Sequence, residues 1–188
     1  MNVILTGLRG TGKSSVGKVL AQRLNFAFVD TDTRIEELAG CRIAAIVAQH
    51  GWEYFRALER QVVTQVAATD RHVVAAGGGT LIDAENTRLL KTRGVVVLLT
   101  CELSILQRRL VLGSNRPSLT GQGSAAVELA QVWEARRERY HTVADVTYDV
   151  SAESGNVVED LERKAADIEA LLHQTPCCHT VERKEPGA

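Results

Sequence analysis

The feature that most constrains this chain is a glycine-rich run near its start, residues 7–14 (GLRGTGKS), which matches the pattern G-x-x-x-x-G-K-[ST]. A short apolar run, residues 2–5, comes directly before it. From Lys13 onward, apolar residues recur at helical spacing. Strand, glycine turn and helix in this order are the setting that the motif requires. The sequence therefore predicts a phosphate-binding loop in an α/β fold.

The chemistry of such a loop indicates its ligand. Glycines let backbone N–H groups curl around phosphates, and the following helix contributes the positive end of its dipole. We expect Lys13 to reach the β- and γ-phosphates of a nucleoside triphosphate, and the Ser14 hydroxyl to bind Mg²⁺, which prefers oxygen ligands. The predicted nucleotide-binding residues of the loop are Gly10, Thr11, Gly12, Lys13, Ser14 and Ser15.

Short apolar runs alternate with helical patterns along the rest of the chain. Strands that alternate with helices predict a three-layer α/β/α fold with a central, mostly parallel sheet. The predicted strands after the first are 26–29, 72–76, 95–99 and 146–150. The predicted helices start near 13, 43, 53, 84, 104, 124 and 157, with Gly51 separating the helices 43–50 and 53–67. A further helix carries Ile35 and Leu38, after residues 30–32 that can cap it.

Length and composition limit the other classes of function. The chain has 188 residues, the length of one ordinary domain. Its formal net charge of −1 suggests neither a nucleic-acid partner nor binding to a membrane surface. The first residues enter a strand pattern directly, which favours a cytoplasmic protein, and we also expect a monomer. We expect this domain to span 1–174 and to include an irregular stretch at about 112–123 that lacks apolar periodicity. Residues 175–188 are predicted to be a disordered tail.

Two carboxylates follow the second predicted strand, where parallel sheets build their ligand crevices. Asp30 is expected to hold magnesium, through water, while Asp32 hydrogen-bonds an acceptor hydroxyl and takes its proton. The alternative is that Asp30 and Asp32 only cap the next helix.

Beyond the loop, the chain resembles the shikimate kinases in motifs that occur in the same order and spacing. The resemblance covers nearly everything before the tail. It implies a P-loop kinase fold similar to that of nucleoside monophosphate kinases. It also implies transfer of the ATP γ-phosphate to the 3-hydroxyl of shikimate, in chorismate and aromatic amino acid biosynthesis. The motifs are 7–14 (GLRGTGKS), 30–32 (DTD), 51–59 (GWEYFRALE), 77–79 (GGG), 116–119 (RPSL) and 136–145 (RRERYHTVAD).

The resemblance also implies how the acceptor is held. Arg56 and Arg136 would grip the shikimate carboxylate, which suits the planar guanidinium fork. Glu59 would orient Arg56, and Phe55 would pack on the substrate ring. Backbone N–H groups of the glycine segment would approach the substrate closely. The implied substrate-binding residues are Asp32, Arg56, Gly77, Gly78, Gly79 and Arg136.

Three further arginine assignments follow from the same resemblance. The irregular stretch at about 112–123 resembles the lid of that family, which closes over ATP and shikimate. Arg116 lies in this lid and would neutralise charge on the transferred phosphoryl group, so the implied catalytic residues are Asp32, Lys13 and Arg116. Arg109 would contact the adenine, although adjacent Arg108 leaves this assignment open. Arg136 is preferred to Arg137 because it falls four residues before Tyr140. Glu138 departs from the family pattern, which often has proline at that position.

Other functions remain open from sequence alone. The nearest is a P-loop kinase for another small polyol acid, such as gluconate, or for a nucleoside monophosphate. A second is a non-catalytic kinase-like module that binds ATP. A third, an ATP-hydrolysing motor or switch, is disfavoured because the chain has no second domain to move.

Overall fold

The computed structural model describes residues 1–112 and 125–175. Each predicted strand is present within about a residue of its predicted bounds. The strands are β1 (Asn2–Thr6), β2 (Ala27–Asp30), β3 (His72–Ala75), β4 (Gly94–Thr100) and β5 (Val146–Asp149). The helices are α1 (Lys13–Leu24), α2 (Thr31–Ala39), α3 (Ile43–Ala67), α4 (Ala84–Lys91), α5 (Leu103–Leu112), α6 (Ala125–Val143) and α7 (Val157–Gln174).

The five strands form one sheet in the order β2-β3-β1-β4-β5, and every neighbouring pair is parallel. The carboxyl ends of the strands therefore meet at one edge, where doubly wound sheets bind their ligands. β1 lies at the centre, between β3 and β4. The phosphate-binding loop consequently leaves the middle of the sheet, with the end of β3 beside it and the end of β2 one strand further.

Alternation along the strands divides the core between two faces. Val3 and Leu5 point into a cluster with apolar residues of α1 and α7, whereas Ile4 points into a cluster with residues of α2, α3 and α4. Because successive strand residues face opposite sides, a sheet covered on both faces reads as a continuous apolar run. The three-layer prediction is confirmed.

A third, smaller cluster fixes the loop against the helices that follow β4. Leu8 of the phosphate-binding loop packs with Leu106 of α5 and with Leu129, Val132 and Tyr140 of α6. The loop is thus part of the packed structure, and its position is tied to that of α6.

Two local features differ from the helices that the sequence predicts. α3 runs from Ile43 to Ala67, but Gly51 has φ 80° and ψ 173°, so the backbone bends where the sequence predicted a break. A short 3-10 helix, Thr80–Ile82, follows the glycine segment and was not predicted. Most of the expected lid and nearly all of the expected tail lie outside the described residues. In the described part of the chain, no helix is long and apolar enough to cross a membrane.

Candidate active site

The phosphate-binding loop has the backbone that its glycines permit. Gly7, Gly10 and Gly12 have φ of 135°, 85° and 84°, and Gly12 caps the start of α1 in the left-handed conformation. The Lys13 ammonium donates to the carbonyl oxygens of Gly7 and Leu8 at 3.0 and 2.9 Å. The lysine is therefore folded over its own loop, at the place where phosphate oxygens would bind.

Ser14 and Asp30 face each other across the gap between α1 and β2. The Ser14 hydroxyl donates to Asp30 Oδ2 at 2.5 Å. Asp30 Oδ1 accepts from the backbone N–H groups of Asp32 and Thr33, at 3.0 and 3.3 Å, and so caps α2. One oxygen of Asp30 therefore caps the helix, and the other binds the Ser14 hydroxyl, so the two predicted magnesium-binding side chains lie side by side.

Asp32 lies in the first turn of α2, where it reaches the glycine segment after β3. A Cβ atom at position 77 would lie 2.5 Å from Asp32 Oδ1, so only a glycine there leaves room for the carboxylate. The N–H of Gly77 donates to the hydroxyl of Thr31 at 2.9 Å, which joins the ends of β2 and β3. The structure therefore brings Asp32 to the predicted substrate-binding segment.

Arg56 is held by a buried carboxylate. Its Nη1 lies 2.6 Å from Glu59 Oε2, and Glu59, only 1% exposed, also accepts from Thr80 Oγ1 at 2.8 Å. The pairing of Arg56 with Glu59 that the resemblance implied is present. A Cβ atom at position 79 would lie 2.8 Å from Arg56 Nη2, so the guanidinium lies directly against the glycine backbone.

The aromatic residues near Arg56 differ from expectation. Phe55 is 5% exposed and packs in the core on the α3 side of the sheet, so it offers little surface to a substrate ring. The Arg56 guanidinium lies 5.1 Å from the Phe55 ring centroid and 5.7 Å from that of Trp52, which is 47% exposed. The sequence analysis did not single out Trp52, but the structure places it beside the arginine.

Helix α6 holds the glycine segment from the other side. Arg136 Nη1 donates to the carbonyl oxygen of Gly78 at 3.0 Å, and the Tyr140 hydroxyl donates to the same oxygen. Arg139 Nε donates to the Leu81 carbonyl at 3.3 Å. Burial raises the pKa of the Tyr140 hydroxyl, while the neighbouring Arg136 cation opposes that shift. Tyr140 therefore stays a protonated donor.

The contacts of Arg56 and those of helix α6 lie on either side of one cavity. Its volume is about 330 Å³, and Arg56 and Arg136 both line it together with Gly79, Ile82 and Asp83. Two guanidinium groups on a cavity of this size suit a small anionic ligand. Arg137 points away from the cavity and pairs with Glu134, and Glu138 is exposed, which supports the choice of Arg136.

Arg109, and not Arg108, contacts the phosphate-binding loop. Arg109 Nη1 donates to the Gly10 carbonyl at 3.0 Å, and its Nη2 lies 2.7 Å from Glu153 Oε1. Arg108 is exposed. The Arg109 guanidinium lowers the pKa of the Glu153 carboxyl through their hydrogen bond. Ser15 is also exposed, and Arg116 lies outside the described residues.

Several structural contributors were missed by sequence reasoning. Thr31, Thr80 and Arg139 each hold the segment between β3 and α4, although the sequence analysis gave none of them a role. Arg9 Nη2 lies 2.9 Å from Glu128 Oε2, in a pair whose side chains are 12% and 2% exposed. Polar residues placed between apolar stretches were the available signal, but that pattern does not identify their partners.

Comparison with known proteins gives consistent results. The family model "Shikimate kinase" matches residues 9–166. A shikimate kinase of Nitratidesulfovibrio vulgaris is 41% identical over 162 residues, covering 85% of this chain and 92% of that protein. A shikimate kinase of Geobacter metallireducens is 44% identical over 160 residues, covering 85% of this chain and 87% of that protein.

Solved structures agree with the sequence relatives. The shikimate kinase from Acinetobacter baumannii in complex with shikimate superposes with a TM-score of 0.83 at 29% identity, covering 96% of this chain and 95% of that one. The shikimate kinase from Bacteroides thetaiotaomicron gives 0.78 at 27% identity, covering 92% and 98%.

Proposed function

This chain belongs to the shikimate kinase family, and from that membership and its site we propose that it transfers the ATP γ-phosphate to the 3-hydroxyl of shikimate. The products are shikimate 3-phosphate and ADP, and the step belongs to chorismate biosynthesis. The observation that carries the proposal is the cavity between Arg56 and Arg136, which lies at the sheet edge shared by the phosphate-binding loop and Asp32. Nucleotide and carboxylated acceptor can therefore meet at one edge.

The site residues divide the work of an in-line phosphoryl transfer. The two arginines bind the acceptor carboxylate, and this binding fixes the ring with one hydroxyl toward Asp32. Asp32 accepts the hydroxyl proton as the oxygen attacks the γ-phosphorus and the bond to the ADP oxygen breaks. Lys13 exchanges its loop carbonyls for the β- and γ-phosphates, where its charge stabilises the transition state.

The donor set also fits magnesium. Ser14 and Asp30 supply a hydroxyl and a carboxylate oxygen already within hydrogen-bond distance of each other. Mg²⁺ is usually bound by one or two protein oxygens, with phosphates and waters completing an octahedron. Magnesium would neutralise phosphate charge there. In the described part of the chain, no group of three or more His, Cys, Asp or Glu forms an alternative metal site.

The remaining assignments complete the proposal. Residues 1–174 form the catalytic domain, and residues 112–123 form a lid that carries Arg116 to the transferred phosphoryl group and excludes water. A net charge of −1 supports a protein without nucleic-acid or membrane partners, and the proposal takes this protein to be a cytoplasmic monomer.

A coupled ADP-release assay tests the activity. MgATP is supplied with shikimate, quinate, gluconate or no acceptor, to the wild type and to Asp32→Asn. We expect shikimate-dependent ADP release that falls by roughly two to four decades in Asp32→Asn, because the proton acceptor is lost. Asp167→Asn is the control, since Asp167 is an exposed carboxylate that binds Tyr148 away from the site.

The other outcomes point to other functions. Equal ADP release without acceptor indicates an ATPase, and a preference for gluconate indicates a different polyol-acid kinase. ATP binding without any ADP release indicates a non-catalytic module. Asp32→Asn activity equal to that of Asp167→Asn removes Asp32 from the mechanism.

A further inference from the structure

The glycine segment 77–79 meets two conflicting demands. Glycine is required at positions 77 and 79, because Cβ atoms there would meet Asp32 Oδ1 at 2.5 Å and Arg56 Nη2 at 2.8 Å. Yet a run of glycines is the most flexible backbone that a chain can have, and ordering it costs more conformational entropy than ordering any other residue. Something outside the segment must hold it in place.

Side chains from the surrounding helices and from the end of β2 hold the glycine segment in place. Thr31 binds the Gly77 N–H, and Tyr140 and Arg136 both bind the Gly78 carbonyl. Asn86 Nδ2 binds the Thr80 carbonyl at 3.2 Å, and Arg139 binds that of Leu81. The densest contact is at Gly78, whose carbonyl oxygen accepts two hydrogen bonds.

These bonds determine where the next N–H points. In a trans peptide, the C=O of one residue and the N–H of the next point in opposite directions. Because the Gly78 carbonyl faces α6, the Gly79 N–H faces away from α6, and Gly79 lines the cavity. Within residues 1–112 and 125–175, the N–H groups of Gly78 and Gly79 have no acceptor. These two N–H groups are therefore available to donate to a bound ligand.

Of the two donors to Gly78, only Tyr140 is committed to this task. Arg136 lines the cavity and needs its remaining N–H groups for an anion, whereas Tyr140 is fully buried and its hydroxyl donates to this carbonyl. Its ring packs with Leu8 of the phosphate-binding loop, so the hydroxyl is delivered from a rigid position.

We propose that Tyr140 is a positioning residue: its hydroxyl holds the Gly78–Gly79 peptide in the orientation that presents the Gly79 N–H to an oxygen of the acceptor substrate. This inference rests on the proposed function, since the acceptor is taken to bind in the cavity between Arg56 and Arg136. Without the hydroxyl, only Arg136 holds the Gly78 carbonyl, so the peptide between two glycines rotates more easily and the donor is lost for part of the time.

The test is Tyr140→Phe, which removes the hydroxyl and keeps the ring. We expect the shikimate KM to rise about three- to ten-fold, which corresponds to one neutral hydrogen bond, while the ATP KM stays unchanged and kcat changes less than about two-fold. Tyr148→Phe is the matched control, because it also removes a tyrosine hydroxyl that donates a hydrogen bond, to Asp167, but outside the glycine segment. All its kinetic constants should equal those of the wild type.

A second readout follows the peptide itself. In protein labelled with ¹⁵N-glycine, shikimate titration should shift the Gly79 amide resonance of the wild type and of Tyr148→Phe, and shift it less in Tyr140→Phe. An unchanged shikimate KM in Tyr140→Phe overturns the inference. An equal rise of both KM values also overturns it, because that result indicates general loosening of the fold. A wild type inactive with shikimate overturns the proposed function instead, and this inference with it.

Discussion

The two halves of the site are prepared to different degrees. On the acceptor side, Arg56 and Arg136 are held by Glu59 and by the Gly78 carbonyl, partners that a substrate does not need to displace. On the nucleotide side, Lys13 is bonded to carbonyls of its own loop, and a phosphate has to take their place. The acceptor half is preorganised, whereas the nucleotide half must exchange contacts when ATP binds. Preorganised groups cost less free energy when the ligand arrives.

The largest effect should come from two alanine substitutions within the glycine segment. Gly77→Ala pushes the Asp32 carboxylate aside. Because a catalytic group displaced by about 1 Å can slow an enzyme about 100-fold, kcat should fall by about that factor. Gly79→Ala displaces Arg56 instead, and the shikimate KM should rise about tenfold with a smaller change in kcat. Steady-state kinetics at saturating ATP measure both. Identical changes in kcat and KM for the two variants would contradict a preorganised acceptor side with separate tasks.

A smaller effect is expected on the nucleotide side. Arg109→Met removes the guanidinium that binds the Gly10 carbonyl and Glu153, so the ATP KM should rise about tenfold while the shikimate KM stays unchanged. Arg108→Met is the matched control, because Arg108 is the exposed neighbour. Initial rates with varied ATP provide the measurement. Equal effects of the two substitutions would mean that the Gly10 contact contributes nothing to nucleotide binding.

The smallest effect concerns stability and comes from Tyr148, which lies outside both the acceptor side and the nucleotide side of the site. Burial raises the pKa of Tyr148 to about 12, and its hydrogen bond to Asp167 acts in the same direction. The folded protein therefore holds this proton more tightly than the unfolded chain, so stability is lost as the pH rises from about 10 toward 12. Urea unfolding at pH 9 and 11 should show a smaller loss in Tyr148→Phe than in the wild type. Equal losses would exclude Tyr148 as the cause.

The sequence predicted best those features that depend on a short stretch of the chain. The loop 7–14 was predicted because its glycines and its strand-helix setting are both local features. The parallel sheet and the kink at Gly51 were predicted for the same reason, since apolar spacing and a glycine are visible in a short window. The edge at which the site residues meet followed directly from parallel strands.

Contacts between distant elements could not be predicted in the same way. The sequence offered Asp30 either as a helix cap or as a metal ligand, and the structure shows one carboxylate oxygen capping α2 and the other bound to Ser14. Tyr140 was used only as a landmark for choosing Arg136, although its hydroxyl reaches a carbonyl 62 positions earlier in the chain. Such pairings depend on how α6 packs against the sheet, which no local pattern records.

The direction of the strands also has a practical consequence for handling the protein. Met1 precedes β1, whose five residues span roughly 17 Å before the phosphate-binding loop begins. Helix α7 ends on the same side as Met1, because the last turns of α1 and α7 are joined there by Arg23 and Glu169. A fluorophore or surface anchor attached near Met1 or Gln174 would therefore leave the opposite edge accessible, so immobilised protein should keep its substrate access.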